Sequence, residues 1–321
     1  MTNDRFLITG ALGCIGAWTL RNLVHEGTPV AALDLGKNRE RLELVINSEE
    51  IARIQFISGD ISDLGVVESA IKDSGANRII HLAALQIPSC KADPSLGARV
   101  NVVGTVNLFE AVKRAGIRQL VFASSTAVYG INEEYSEGPL PNDAPLKPRS
   151  HYGVYKQANE GTARVYWTDD HIASIGLRPY VVYGAGRDQG MTSTPTIAML
   201  AAVSGRPYRI SYGKRYCFQY GDDVANCFIR CARANFDGAE VFNIGGPSVS
   251  TSQVIAAIEK TEPSARGKIT FDDVPLPSPE EVDGSALENV IGPLPYTPLE
   301  QGVAETMCIF RKKVNEGKID A

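Results

Sequence analysis

The sequence predicts a doubly wound, parallel α/β sheet followed by a smaller α/β lobe. Three observations carry that expectation. Short, nearly continuous apolar runs alternate with helical patterns through the first half of the chain. The first run breaks into three glycines spaced G-x-x-G-x-x-G, at Gly10, Gly13 and Gly16. The second run ends on an acid, Asp34. Strands covered by helices on both faces lose the in–out alternation of a half-buried strand, so they read as unbroken apolar runs.

The first strand spans 5–9 and the first helix 14–26. A buried strand that turns sharply into a helix N-terminus suits a dinucleotide pyrophosphate. Glycines let the backbone approach, and the helix end offers free N–H groups with a partial positive charge. Gly10, Gly13, Cys14, Ile15 and Gly16 are therefore candidate cofactor contacts in a Rossmann-type loop. A second strand over 29–33 delivers Asp34 and Leu35 about twenty residues further on. A carboxylate there accepts hydrogen bonds from ribose hydroxyls and repels a 2′-phosphate, which indicates NAD; Arg39 nearby is the residue that would argue for NADP.

A helix over 38–50 leads to the third strand, 53–57. Asp60 and Ile61 follow it, suited to the adenine amino group and ring. After a helix over 63–74, the fourth strand, 78–82, ends in Leu82-Ala83-Ala84, small residues that let backbone pass close to a cofactor. His81 precedes this turn and reads as structural. Gln86, just beyond it, is a candidate substrate contact. A helical pattern over 94–115 carries Asn101 on an apolar face, where a buried amide needs partners and would bridge strand loops.

The fifth strand, 118–123, runs into Ser124-Ser125-Thr126-Ala127-Val128-Tyr129-Gly130. The loop 131–148 has four prolines, Pro139, Pro141, Pro145 and Pro148, and reads as a flap beside an active site. The next helix, 151–168, carries Tyr152 and Lys156 four apart on one face. A free tyrosine titrates near 10, and a neighbouring ammonium lowers that value by stabilising the phenolate. Ser125, Tyr152 and Lys156 thus form a proton-transfer set for hydride chemistry at a secondary alcohol. A sixth strand over 172–178 closes a cofactor domain placed at 1–180. The remainder, 181–321, reads as a substrate-binding region with some segments returning to the first domain.

Composition bounds the partners. The 321 residues are 44% hydrophobic and 21% charged, with a net charge of −5 and no basic block. That argues against nucleic acid and anionic membranes. No apolar run reaches spanning length. The first strand begins too early to leave room for a secretory leader, and the six cysteines show neither disulfide nor metal spacing. A cytoplasmic protein without a metal is the expectation.

Taken together, these stretches resemble the extended short-chain dehydrogenase/reductases, in their NAD-dependent epimerase/dehydratase branch. The resemblance rests on Thr9 to Gly16, Asp34, Gly59-Asp60, His81 to Ala84, Asn101, Ser124 to Gly130, Tyr152 to Lys156 and Leu177 to Gly184. It continues through Asp222-Asp223-Val224-Ala225, Phe242 to Gly245 and Thr297 to Val303. It implies Tyr152 as acid/base, Lys156 as its tuner and ribose anchor, and Ser125 as partner of the substrate oxygen. It also implies cofactor contacts from Asn101, Tyr180 and Val182, and a homodimer built from two helices per subunit.

The departures bear on substrate. Where nucleotide-sugar members carry an Asn, this chain has Val181. Where they carry a diphosphate-gripping Arg, Tyr216 stands, with Arg215 one place early. The stretch Ala185 to Ser193 offers Arg187, Gln189, Met191, Thr192 and Ser193 in its stead, beside Thr126. Thr126-Ala127 after Ser125 lacks the acids that sugar dehydration uses. The leading expectation is hydride transfer on a small carbohydrate-like compound: a sugar, sugar acid or lactone. A nucleotide-sugar epimerase of the type acting on UDP-glucose is the alternative, with Arg215 still reaching the diphosphate. A non-enzymatic NAD sensor is a remote third.

Overall fold

The computed structural model describes residues 3–319. The six predicted strands become β1 (Phe6–Thr9), β2 (Val30–Asp34), β3 (Gln55–Ser58), β4 (Arg78–His81), β5 (Gln119–Ala123) and β6 (Ala173–Arg178). Their connections hold α1 (Cys14–His25), α2 (Glu40–Val45), α3 (Ser48–Ile51), α4 (Leu64–Ser74), α5 (Ile87–Ala92), α6 (Pro94–Ala98), α7 (Gly104–Arg114) and α8 (His151–Asp170). After them come β7 (Val181–Tyr183), α9 (Thr194–Val203), β8 (Tyr208–Ile210), β9 (Arg215–Tyr220), α10 (Gly221–Arg233), β10 (Ala239–Asn243), β11 (Ser248–Ser250), α11 (Thr251–Thr261), β12 (Ile269–Phe271), α12 (Ser285–Ile291) and α13 (Leu299–Asn315).

The large sheet has seven strands in the order β10-β6-β5-β4-β1-β2-β3, all parallel. Leu7, Ile8, Ile80, Val121 and Ile175 are fully buried, which accounts for the unalternating apolar runs. The strand order reverses between β1 and β4, so a crevice opens at the carboxyl ends there. Smaller sheets, β11-β9-β7 and β12-β8, build the second lobe.

Three local expectations change. The helix expected over 38–50 is two helices. Ile46 is extended, and Asn47 starts α3 with a capping box closed by Glu50. The helix expected over 94–115 contains a π-helical stretch, Arg99–Val103, and α5 precedes it, too short to show a periodicity. The loop 131–148 is not a flap over the crevice. Asn142 pins it by donating to Val241 O (2.6 Å) and accepting from Asn243 N (2.7 Å), while Arg178 donates to Asn142 O (2.9 Å). From the second half, β10 returns to the large sheet beside β6, with Asn243 opposite Arg178.

Candidate functional site

A cleft of about 1030 Å³ opens at the carboxyl ends of the central strands. At one end lies the glycine loop. Gly10 has φ +65°, and a Cβ there would lie 2.5 Å from Ala83 N; one on Gly16 would lie 2.5 Å from Ala11 O. Side chains are therefore excluded where the loop presses on the Leu82-Ala83-Ala84 turn. Gly13 precedes α1 without any side-chain cap, and the first turn holds no acid. The N–H groups of Cys14, Ile15 and Gly16 are left for an anion. Asp34 accepts from Leu12 N (2.9 Å) and Gly36 N (3.0 Å), which fixes its carboxylate at the wall. Leu35, Asp60, Ile61, Tyr180 and Val182 line the same cleft. Arg39 does not: its guanidinium lies 3.6 Å from the Phe56 ring centre. This cradle fits NAD.

Two expected positions stand behind the wall. Asn101 is buried; it accepts from Leu85 N (2.7 Å) and donates to Leu85 O (2.9 Å), while its own carbonyl accepts from Asn159 (2.8 Å). It ties the loop after β4 to α8. His81 is bonded to Thr9 (2.6 Å) and Thr105 (3.1 Å), and burial lowers its pKa to about 3, with the Lys156 charge adding to the effect. It is a neutral spacer.

Ser125, Tyr152 and Lys156 converge on the cleft. Ser150 caps α8 by accepting from Gly153 N (3.1 Å). A Cβ on Gly153 would lie 2.1 Å from Ala127 O, so glycine lets the first turn of α8 lie directly on the Ser125-Thr126-Ala127 segment. That close approach brings Tyr152 to Ser125. Lys156 Nζ donates to Ala123 O (2.6 Å) and lies 5.6 Å from the Tyr152 ring centre. Its pKa falls to about 8, chiefly through burial. The Tyr152 phenol is raised, not lowered: burial outweighs the hydrogen bond from Ser125 and the positive charge of Arg187. Ser125 and Arg187 work against that burial, while Lys156 lies beside the ring and donates to the end of β5.

Gln86, Thr126, Arg187, Met191 and Thr192 line the other end. Gly190, with φ +92°, makes room there; a Cβ would meet Gln86 Oε1 at 2.1 Å and Arg187 Nη2 at 3.3 Å. Arg187 donates through Nη2 to Thr192 (2.9 Å), its Nε is buried without a partner in the protein, and it enters no ion pair among the described residues. Arg215 lies outside this cleft. It donates to Ser248 O (2.6 Å), on the neighbouring β11.

Sequence reasoning missed the wall formed by Leu276, Pro277 and Ser278. Tyr216 accepts from Leu276 N (2.6 Å), and Tyr180 shares a 2.7 Å hydrogen bond with Ser278. It also missed a buried network under the site. Arg178 makes a two-pronged pair with Glu160 (2.9 and 2.8 Å), Ser124 donates to Glu160 (2.5 Å), and Tyr129 joins through Arg178 (2.6 Å). The signal in sequence was a Glu one turn after Lys156 and an Arg ending an apolar strand, two charges that need each other inside a core. Among the described residues no cluster of three His, Cys, Asp or Glu could hold a metal, and no helix is long and apolar enough to cross a membrane.

Residues 6–245 match the model of the NAD dependent epimerase/dehydratase family. The UDP-glucose 4-epimerase of Mycolicibacterium smegmatis is 31% identical over 325 residues, covering 96% of this chain and 99% of that protein. The structure of Thermus thermophilus UDP-glucose 4-epimerase in complex with NAD superposes with a TM-score of 0.80 at 26% identity, over 96% of this chain and 99% of that one. MoeE5, in complex with UDP-glucose and NAD, gives 0.80 at 25% identity, over 97% and 100%. With the glycine cradle, Asp34 and the hydroxyl set in place, the chain belongs to the NAD-dependent epimerase/dehydratase family, and NAD is its cofactor.

Proposed function

We propose that this enzyme is an NAD-dependent oxidoreductase acting at a secondary hydroxyl of a small, anionic, carbohydrate-like compound, a sugar acid before a neutral sugar or lactone. The observation that carries this reading is the charge inventory of the cleft. Its cationic residues are Arg41, Lys156 and Arg187. Arg41 is paired with Asp188, and Lys156 faces Ala123 O. Lys156 and Arg187 both enter no ion pair among the described residues, but Arg187 alone of the two keeps a buried N–H without a partner, within electrostatic reach of Tyr152. A half-buried guanidinium with an unpaired N–H calls for an anion. One carboxylate satisfies it; a second diphosphate beside that of NAD would remain undermatched. Tyr216, at the place of a diphosphate-gripping arginine, instead anchors the Leu276-Pro277-Ser278 wall.

Arg187→Gln should raise KM for the sugar acid roughly 10- to 100-fold, the loss of one charge-assisted contact, with the NAD Kd changed by less than about threefold. Calorimetric titration of UDP into the NAD-loaded protein checks the class directly. Micromolar UDP binding would overturn the reading in favour of a nucleotide-sugar epimerase, as in the Mycolicibacterium relative. Whether product leaves before hydride returns separates dehydrogenase from epimerase, and NADH accumulation with a sugar acid would establish the former.

We also propose a homodimer. Val154 and Val165, 48% and 57% exposed, are eleven residues apart and share one face of α8. Light scattering should give twice the chain mass, and Val154→Glu with Val165→Glu should give a monomer. A wild-type monomer would refute the assembly.

A further inference from the structure

We propose that Arg41 and Asp188 form a clasp that retains NAD in its cleft. Arg41 comes from α2, beyond Asp34; Asp188 comes from the loop between β7 and α9, 147 residues away. Both line the cofactor cleft. Arg41 Nε lies 3.0 Å from each carboxylate oxygen, and Nη2 lies 2.8 Å from Oδ1. Such multidentate pairs hold orientation as well as charge.

The backbone around the pair is built to bring the two sides together. Trp18 of α1 donates to Ala185 O (3.0 Å), fastening the loop to the helix whose uncapped N-terminus opens on the cleft. Gly186, at φ +88°, lies against Arg41, where a Cβ would be 3.4 Å from Arg41 Cβ. Cys14, in the first turn of α1, is within the electrostatic reach of Arg187, Arg41 and Asp188. The pair therefore joins α2 to the second lobe beside the place where the pyrophosphate binds. Closed, it obstructs the cofactor's exit; open, it frees the loop.

Asp188 separates this role from simple phosphate binding. A cation present only to grip phosphate gains nothing from a carboxylate that neutralises it. A clasp needs both charges. The side chains are 26% and 54% exposed, so the pair can open and salt will weaken it.

The test uses NADH as probe and needs no substrate, so it stands apart from the sugar-acid reading. NADH release from the full chain is followed by stopped-flow fluorescence. Asp188→Asn and Arg41→Gln should each speed release by roughly three- to tenfold. Wild-type release should quicken as NaCl rises to about 0.5 M, while the neutral variants respond less. The exchanged pair, Arg41→Asp with Asp188→Arg, should slow release again relative to either single variant. Thermal melts of the variants should match wild type, since the pair is at the surface. If Asp188→Asn releases NADH no faster than wild type, or more slowly, Arg41 acts as a plain anion contact and the clasp is wrong. An exchanged pair as fast as the single variants also overturns it.

Discussion

Tyr152→Phe should lower turnover by roughly 10²–10⁴-fold, the usual worth of a positioned acid/base, while NADH fluorescence titration shows cofactor affinity nearly unchanged. The proposed division of labour follows from the geometry. In that proposal Ser125 would hold the substrate oxygen and Tyr152 would take or return the hydroxyl proton, both from the cleft wall, with Lys156 beneath them at the end of β5. NAD, when bound, supplies the hydride acceptor. The sign of the pH effect is set by the phenol. Burial raises it above the usual value, so its ionised fraction is small near neutrality and grows with pH. Alcohol oxidation should therefore climb through the alkaline range in wild type, and the residual activity of Tyr152→Phe should lose that climb. Turnover above about a tenth of wild type in the variant would remove Tyr152 from the chemistry.

Glu160→Ala should be the most destabilising of the changes considered, by about 3–5 kcal/mol, because it strands a buried guanidinium. Glu160 is fully buried and Arg178 is 4% exposed. The carboxylate accepts both prongs of Arg178 and the Ser124 hydroxyl. Calorimetry should show Tm falling on the order of 10 °C. Glu160→Gln keeps a hydrogen-bonding group and should lose less. As a control, Glu300→Gln in the Lys260–Glu300 pair, about two-thirds exposed on each side, should move Tm by no more than about 2 °C. A Glu160→Ala melt indistinguishable from wild type would mean that water or a neighbour already satisfies Arg178. The network matters to the site through position: Ser124 adjoins Ser125, and Glu160 lies one turn beyond Lys156 on α8.

What could be read from the sequence were the features in which chemistry and chain neighbourhood coincide. The glycine loop, Asp34, the Leu82-Ala83-Ala84 turn and Tyr152 with Lys156 are each a few adjacent residues on one element, and each faces the cleft. Their local spacing dictates both conformation and direction, and the strand–helix alternation dictates the parallel sheet. Expectations drawn from composition or from the family resemblance fared differently. Four prolines made 131–148 look like a flap, but Asn142 anchors it to β10. Arg215 was one place from a binding position, and its direction on β9 sends it to Ser248 O.

The sequence by itself determined the doubly wound sheet and the glycine cradle, and it picked out Ser125, Tyr152 and Lys156, which line the cleft, because short-range sterics and burial periodicity are written residue by residue. Tertiary structure alone decided which distant charges meet: Arg178 with Glu160, Arg41 with Asp188, and Arg187 with no acid among the described residues. It also set the protonation balance at Tyr152, since burial is a property of everything packed around a group and of nothing in its own stretch of chain.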